Sequence, residues 1–309
     1  MRIVVFGAGA LGSLLGALLA RVHDVTLIGR RDHVHAVRRD GLTVTGNASL
    51  TVNVPAHESA PAGLKADLVL LTVKSFDTQR ALEQLAPLIG PDTTLVSVQN
   101  GLGNLELASA RYPHGIVLGS AVMVGAAMEA PGRVAWNGPG EIIIGATPKE
   151  AAEAKVVAVA FAAAGIEARA VADIRPALWR KAMVNAAINP LTSLHRVPNG
   201  RLLEDPTLRD QMFAAAKEAA LVGRAEGIDL PEDDAVATVE RVAKQTATNR
   251  SSMLQDVERG GRTEIDAIAG ELLSAAEGHP LPYTEVVYAL VKGLEPRGDG
   301  APPRGNLFK

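Results

Sequence analysis

Lys181, Asn185 and Asn189 stand four residues apart in the stretch WRKAMVNAAINPLT, and side chains at that spacing share one face of a helix. Around them lie Ala182, Met183, Ala186, Ala187 and Ile188, so an ammonium and two carboxamides form a polar stripe on an otherwise apolar helix. Such a stripe is either a solvated face or a row of polar groups turned toward a ligand. Solvated faces are dominated by flexible charged side chains rather than by asparagine, which favours the ligand. Pro190 follows at once and predicts that the helix ends close to Asn189. A second polar group, in RSSMLQDVERGGRTEID, gathers Ser251, Ser252, Glu264 and Asp266. Serines ahead of an apolar run suit a helix start, and the two carboxylates suit the start of the next helix. Spacing does not choose here between capping and ligand binding.

The remaining residues with chemical meaning fall at the ends of predicted strands. Gly7, Gly9 and Gly12 in GAGALGS follow the β-branched run at 3–6, and a second strand, DVTLIG, comes soon after. Strand, glycine turn, helix and strand form the context that a GxGxxG dinucleotide fingerprint requires. Gly7 allows a sharp exit, Gly9 lets the backbone approach a pyrophosphate, and Gly12 lets the helix pack against the sheet. The free amides at the helix start then face the anion. The eighteen uncharged residues 3–20 also reach the threshold for a spanning helix, and Arg2 passes for the start of a signal peptide. The glycines and the strand pattern argue against both.

The second strand ends in Gly29-Arg30-Arg31, where an NAD-preferring domain places Asp or Glu for the ribose hydroxyls. A guanidinium fork suits a phosphate instead, so the expected cofactor is NADP(H), with Arg30 nearest the strand end. Lys74 and Asn100 stand just past the fourth and fifth strands, in TVKSF and SVQNGLGN. Ligands of open parallel sheets bind outside these carboxyl ends. Lys74 suits cofactor or substrate oxygens, and Asn100 suits a nicotinamide ribose or a substrate hydroxyl.

The elements that must hold these residues divide in two. Short apolar runs at 67–73 and 93–98, with a helical repeat between them ending near Gly90, read as buried parallel strands and a crossover. From 117 to 145 the texture is of strands broken by APG and NGPG, followed by a helix from about Lys149 and the strand IEARAV. After residue 173 strand signals nearly vanish and five helical stretches follow, EIDAIAGELLSAAEG among them. The expected fold is α/β: an N-terminal Rossmann-type doubly wound sheet, residues 1–171, binding NADP, and an all-helical substrate and catalytic domain, residues 172–309. The proline- and glycine-rich end, from 295, is expected to fray.

Composition narrows the partners. With 309 residues and a net charge of −3, the chain has no bulk attraction for nucleic acid or an anionic membrane. Charges and prolines interrupt every later apolar stretch before it could span a bilayer. It has no cysteine, and its seven histidines show neither HxxxH nor HExxH spacing. Thiolate sites and disulfides are thereby excluded and no metal centre is expected. Scarce aromatics argue against base-stacking surfaces. Without an export signal the expected compartment is the cytoplasm, and monomer and homodimer both remain open.

The ordered series GAGALGS, TVK, QNG, WRKAMVNAAINP, VPNG and SSMLQD…RTEID resembles the motifs of the ketopantoate reductases (2-dehydropantoate 2-reductases). PYTEVVYALVKGLE is similar to the final helix of that family. The resemblance implies reduction of ketopantoate to pantoate in pantothenate biosynthesis, by hydride transfer from NADPH to a 2-oxo acid. It makes Lys181 the catalytic lysine and general acid, with Glu264 orienting it and lying near the cofactor. Asn100, Lys181, Asn185, Asn189, Asn199 and Ser252 match substrate-binding positions. Gly7, Ala8, Gly9, Ala10, Leu11, Gly12, Arg30, Lys74, Asn100 and Glu264 match cofactor contacts. The stretch GSAVMVGAAMEAPGRV departs from the family pattern, which leaves any nicotinamide contact there open. The wider family includes reductases of other 2-oxo acids. Two rival readings are a lysine-dependent dehydrogenase of the same architecture, of 6-phosphogluconate or 3-hydroxyacid type, and a non-catalytic NADP-binding sensor. The first fits QNG, NPLT and RTEID less well, and the second has no use for Lys181, Asn185 and Ser252 together.

Overall fold

The computed structural model describes residues 1–146 and 150–296. The chain forms two compact units, Met1–Leu178 and Trp179–Lys309. The first opens with β1 (Arg2–Phe6), α1 (Ala10–Leu19), β2 (Asp24–Ile28), α2 (Arg31–Asp40), β3 (Leu42–Gly46), β4 (Leu50–Val52) and β5 (Ala56–His57). It continues with β6 (Leu68–Leu71), α3 (Thr78–Leu85), β7 (Thr94–Ser97), α4 (Asn104–Arg111) and β8 (Ile116–Val122). Then come β9 (Gly125–Ala130), β10 (Arg133–Gly138), β11 (Ile142–Gly145), α5 (Ala151–Ala163) and β12 (Ala168–Val171).

Eight strands form one sheet in the order β12-β11-β8-β7-β6-β1-β2-β5. Neighbours are parallel except β8 and β11. The chain winds outward from β1 to β5, then returns to β6 on the other side of β1, which is the doubly wound pattern with its switch point beside β1. Strands β6 and β7 are buried throughout because both faces are covered. Ile3, Val5, Leu27, Leu68, Leu70 and Val96 pack with α1 and α5 on one side. Val4, Phe6, Val69, Leu71 and Leu95 pack with α3 and α4 on the other.

A smaller sheet, β4-β3-β10-β9, accounts for the uncharged N-terminal run. Helix α1 meets β1 and β2 of the large sheet and β3, β9 and β10 of the small one, and every residue from Gly12 to Leu19 is buried. A helix covered on both sides is apolar all round. Its composition reflects burial between two sheets; among the described residues no helix is long and apolar enough to cross a membrane. The strands between 42 and 52 have no clear signal of their own. They form because β3 pairs in parallel with β10, far along the chain.

The second unit is helical. Helix α6 (Arg175–His195) starts in the first unit and continues in the second. After it come α7 (Arg201–Glu204), α8 (Pro206–Ala225), α9 (Glu232–Gln245), α10 (Ser252–Glu258), α11 (Glu271–Ser274) and α12 (Pro282–Leu294). Their ends follow local chemistry. Asp205 accepts from the amides of Thr207 and Leu208 at the start of α8, with Pro206 in its first turn. Glu218 of α8 accepts from the amides of Tyr283 and Thr284 at the start of α12.

The compact units divide after Leu178, a few residues past the domain boundary expected at 172, because Ile174, Ala177 and Leu178 pack into the core of the first unit. Two expectations are corrected. Helix α6 does not end at Asn189 but runs through Pro190 to His195. Pro190 removes one amide, yet residues Ile188 to Ser193 are all buried. The hydroxyls of Thr192 and Ser193 donate to the carbonyls of Ile188 and Asn189 there, so packing and side-chain hydrogen bonds carry the helix past the proline. The stretch EIDAIAGELLSAAEG is not one α-helix: Asp266–Gly270 forms a π-helical turn ahead of the short α11. The start of the helix expected from Lys149 and the proline- and glycine-rich end from 297 lie outside the described residues.

Candidate active site

At the switch point the glycine turn has a distinct reason for each glycine. Gly7 has φ +115°, and a Cβ there would meet Val73 N at 2.5 Å. A Cβ on Gly12 would collide with Gly7 O and stand 2.6 Å from Thr72 Oγ1. These two glycines are therefore demanded by the fold, where α1 and the end of β6 close on the turn. Gly9 differs, because a Cβ there would meet only Gly7 O at 3.9 Å. Gly7 and Ala8 already donate their amides to Ile28 O at 2.9 and 2.8 Å. The amides that follow, from Ala10 through Leu11 to Gly12, open α1 without a side-chain cap. An open approach at Gly9 and an uncapped helix start suit a pyrophosphate.

Arg30 is the N-cap residue of α2 and is exposed. Among the described residues neither its guanidinium nor that of Arg31 has a side-chain partner, which suits an anion beyond the end of β2. Lys74 is partly buried at the end of β6, opening the short 3-10 turn Ser75–Asp77. Asn100 is partly buried past β7, and its carbonyl accepts from Asn104 Nδ2 at 2.9 Å. The dinucleotide-binding set predicted from the strand ends thus converges on the carboxyl ends of β1, β2, β6 and β7.

Two polar assemblies in this unit are not among the residues singled out from the sequence. Gln99 is buried and donates to Val73 O at 3.0 Å and to Thr78 Oγ1 at 2.7 Å, while accepting from Ser97 Oγ. Thr78 in turn donates to Asn104 Oδ1 at 2.9 Å. This chain ties the loop of Asn100 to the residue before Lys74. The visible signal is a glutamine two residues past β7, a strand that is buried throughout and carries no charge. The second assembly centres on His33 of α2, which accepts the Gly132 amide at Nδ1 (3.0 Å) and meets Ser13 Oγ at Nε2 (2.9 Å). The Nδ1 acceptor role assigns the proton to Nε2, and burial pushes the imidazole pKa down. A neutral histidine therefore links α1, α2 and the β9–β10 turn.

In the helical unit Lys181 is partly buried. Loss of solvation lowers its pKa from 10.5 to about 8, against the charge of Glu264, which pulls it upward. Glu264 is 5% exposed. Asn185 is partly buried and Asn189 buried, further along the same face of α6. Thr192, three residues beyond Asn189, is bonded to Ser251 Oγ at 2.8 Å. Ser251 also caps α10, accepting from the Leu254 amide at 3.1 Å. Of the two serines, Ser251 is thus the cap, and Ser252 is exposed at the first position of α10. Asn199 lies between α6 and α7, where Nδ2 donates to Thr246 Oγ1 at 2.8 Å and the buried Oδ1 has no partner among the described residues. An unpartnered acceptor of this kind is costly unless a ligand or water supplies a donor. Asp266, by contrast, is engaged by Tyr288, Lys292 and Arg262.

An open doubly wound sheet with an uncapped, glycine-lined helix start at its switch point defines a dinucleotide-binding protein of the Rossmann class. Residues 3–149 match the model of the ketopantoate reductase PanE/ApbA domain, and residues 173–295 match that of its C-terminal domain. The chain belongs to the ketopantoate reductase family. It is 38% identical to the 2-dehydropantoate 2-reductase of Pyrococcus horikoshii, over 97% of this chain and 100% of that protein. Among solved structures, the ketopantoate reductase of Ralstonia eutropha JMP134 superposes with a TM-score of 0.86 at 35% identity, covering 95% of this chain and 98% of that one. A D-mandelate dehydrogenase in ternary complex with NADH and anilino(oxo)acetate gives 0.90 at 26% identity, with the same coverages.

Proposed function

We propose that this chain catalyses the NADPH-dependent reduction of ketopantoate to pantoate, with Lys181 as the general acid. The observation that carries this reading is the Lys181–Glu264 pair: a lysine on the asparagine-bearing face of α6 with its pKa brought to about 8. A general acid works best with a pKa near the operating pH. At neutral pH Lys181 is an ammonium, able to stabilise the charge that develops on the ketone oxygen and to deliver the proton. Glu264 orients it. Asn185 and Asn189 hold hydroxyl or carbonyl oxygens of the substrate, Ser252 donates to its carboxylate, and the free Oδ1 of Asn199 accepts from a hydroxyl.

The N-terminal unit holds the cofactor through the turn from Gly7 to Gly12, Arg30, Lys74 and Asn100. The nicotinamide, when bound, supplies the hydride. The helical unit holds the substrate and the proton donor. The reaction belongs to the cytoplasm, where pantothenate synthesis takes place.

The likeness to a D-mandelate dehydrogenase bound to NADH favours one second reading, a reductase of another 2-oxo acid. Rates of NADPH oxidation with ketopantoate, ketoisovalerate and benzoylformate distinguish the two. Amides built to bind the ketopantoate hydroxyl are left unpaired by ketoisovalerate, so that acid should react at least tenfold more slowly, as expected of a missing buried hydrogen bond. Asn185→Ala should narrow the gap by penalising ketopantoate most. Equal rates on the first two acids, or preference for benzoylformate, would replace ketopantoate as the substrate while leaving the proton donor in place.

A further inference from the structure

The chain on either side of Glu264 is held by residues that belong to neither the strand-end motifs nor the α6 stripe. Thr263, directly before it, donates its amide at 2.9 Å and its hydroxyl at 2.7 Å to Glu295 Oε1, just past the end of α12. The same hydroxyl oxygen accepts the Ile265 amide at 3.3 Å. Lys292 Nζ donates to Glu295 Oε2 at 2.8 Å and to Asp266 Oδ2 at 3.1 Å. Asp266, two residues after Glu264, also accepts from Tyr288 Oη at 3.0 Å and Arg262 Nη2 at 3.1 Å. Tyr288 and Lys292 stand four residues apart on one face of α12, and Glu295 follows directly after its last turn. The end of α12 therefore grips the chain on both sides of Glu264.

The grip answers a local need. The segment after Glu264 is a π-helical turn rather than regular α-helix, a local departure of the kind often found at functional sites. The Glu295 side chain is 8% exposed. A buried carboxylate and its lysine are commonly replaceable by apolar side chains without loss of stability, so stability alone does not call for them. The bonds that Glu295 accepts are directional and come from the backbone amide and the hydroxyl of Thr263.

We propose that Glu295, acting through Thr263, is a positioning residue that sets where the Glu264 carboxylate stands relative to the Lys181 ammonium. Its consequence for turnover rests on Lys181 being the proton donor. Glu264 is the charged group that favours the ammonium against loss of solvation. The other charged groups around it, Arg262, Asp266, Lys292 and Glu295, are engaged with one another. Arg180 beside Lys181 on α6 reaches Asp229 O instead. If Glu264 is released, its charge acts less strongly on Lys181, which then loses its proton at lower pH.

The test uses the full chain with Glu295→Ala, Thr263→Val and Thr263→Ser. Lys181 is titrated by NMR of lysine labelled at Cε, assigned by the signal lost in Lys181→Arg, alongside kcat/KM for ketopantoate against pH. Glu295→Ala and Thr263→Val should lower the titration midpoint of Lys181, and the alkaline limb of kcat/KM, by on the order of one pH unit. Thr263→Ser, which keeps the hydroxyl, should retain the parent profile. Variants that melt at lower temperature but leave the Lys181 titration unmoved would reduce Glu295 to a structural staple and overturn the proposal. If Glu295→Ala does not fold, the Thr263 pair decides alone. A Lys181 titration that moves while kcat/KM does not follow upholds the positioning and removes Lys181 as the proton donor.

Discussion

At the scale of single residues, Lys181 carries the chemistry because two opposed effects act on it. Burial disfavours its ammonium, Glu264 favours it, and the balance is a pKa of about 8. The sign for catalysis follows. Below about 8 the residue is protonated and competent; above it the amine has no proton to give. The rate constant kcat/KM, which reports the free enzyme, should therefore be flat on the acid side of this group and fall as pH rises through about 8. Lys181→Ala should lower kcat by roughly a hundredfold or more, the range of a removed general acid, and leave NADPH binding measured by fluorescence intact. A variant with near-normal kcat would remove Lys181 as the proton donor. The asparagines on the same face were legible from their four-residue spacing. The burial that tunes the lysine was not, since it depends on side chains brought in by other helices.

At the scale of elements, the glycine turn separates what the fold needs from what a ligand needs. Gly12→Ala places a methyl against Gly7 O and Thr72 Oγ1, and backbone cannot easily move aside. Overpacking of this kind costs about 1–3 kcal/mol, so both the melting temperature and NADPH affinity should fall. Gly9→Ala meets no close protein atom. It should leave the melting temperature within a degree or two, since surface changes are worth about 0.5 kcal/mol or less, yet weaken NADPH binding by blocking the backbone's approach. Parallel thermal melts and fluorescence titrations check the contrast. If Gly9→Ala binds NADPH as the parent does, the cofactor does not come close at that turn. The GxGxxG spacing marks all three glycines alike; only the packed helix and strand around Gly7 and Gly12 reveal that Gly9 is the one left open.

At the scale of the whole molecule, a cofactor that binds only the native chain raises the stability of all of it, by RT ln(1 + [L]/Kd) for free ligand. Arg30 and Arg31 offer guanidiniums without side-chain partners beyond β2, and only NADPH brings a phosphate to them. NADPH should accordingly raise the melting temperature more than NADH at equal concentration. In Arg30→Ala the difference should shrink by the equivalent of about 1–3 kcal/mol, the worth of one charge-assisted contact. NADH stabilisation should hardly change. Equal shifts by both cofactors in the parent would set aside the preference for NADPH and bring the chain nearer, in this respect, to the NADH-bound D-mandelate dehydrogenase it resembles in fold.

The sequence by itself determined the alternation of strand and helix, the nucleotide turn, the strand-end residues and the polar face of α6. Each is a local pattern: a period of two or of 3.6, or a glycine where the backbone must bend. Its limits appear where distant segments meet. The pairing of β3 with β10 and the covering of α1 by two sheets explain why the helical part of the uncharged run is apolar all round. Packing around residues 186–193, with two hydroxyls bonded to the carbonyls of Ile188 and Asn189 beside the proline, decided that α6 continues through Pro190. Ser251 became the cap, leaving Ser252 free, only because Thr192 stands across from it. Glu264 gained its meaning from Lys181 on α6 and from the end of α12, both far away in the chain. Such contacts leave no periodic trace, because tertiary structure selects partners by shape, burial and hydrogen-bond demand rather than by spacing.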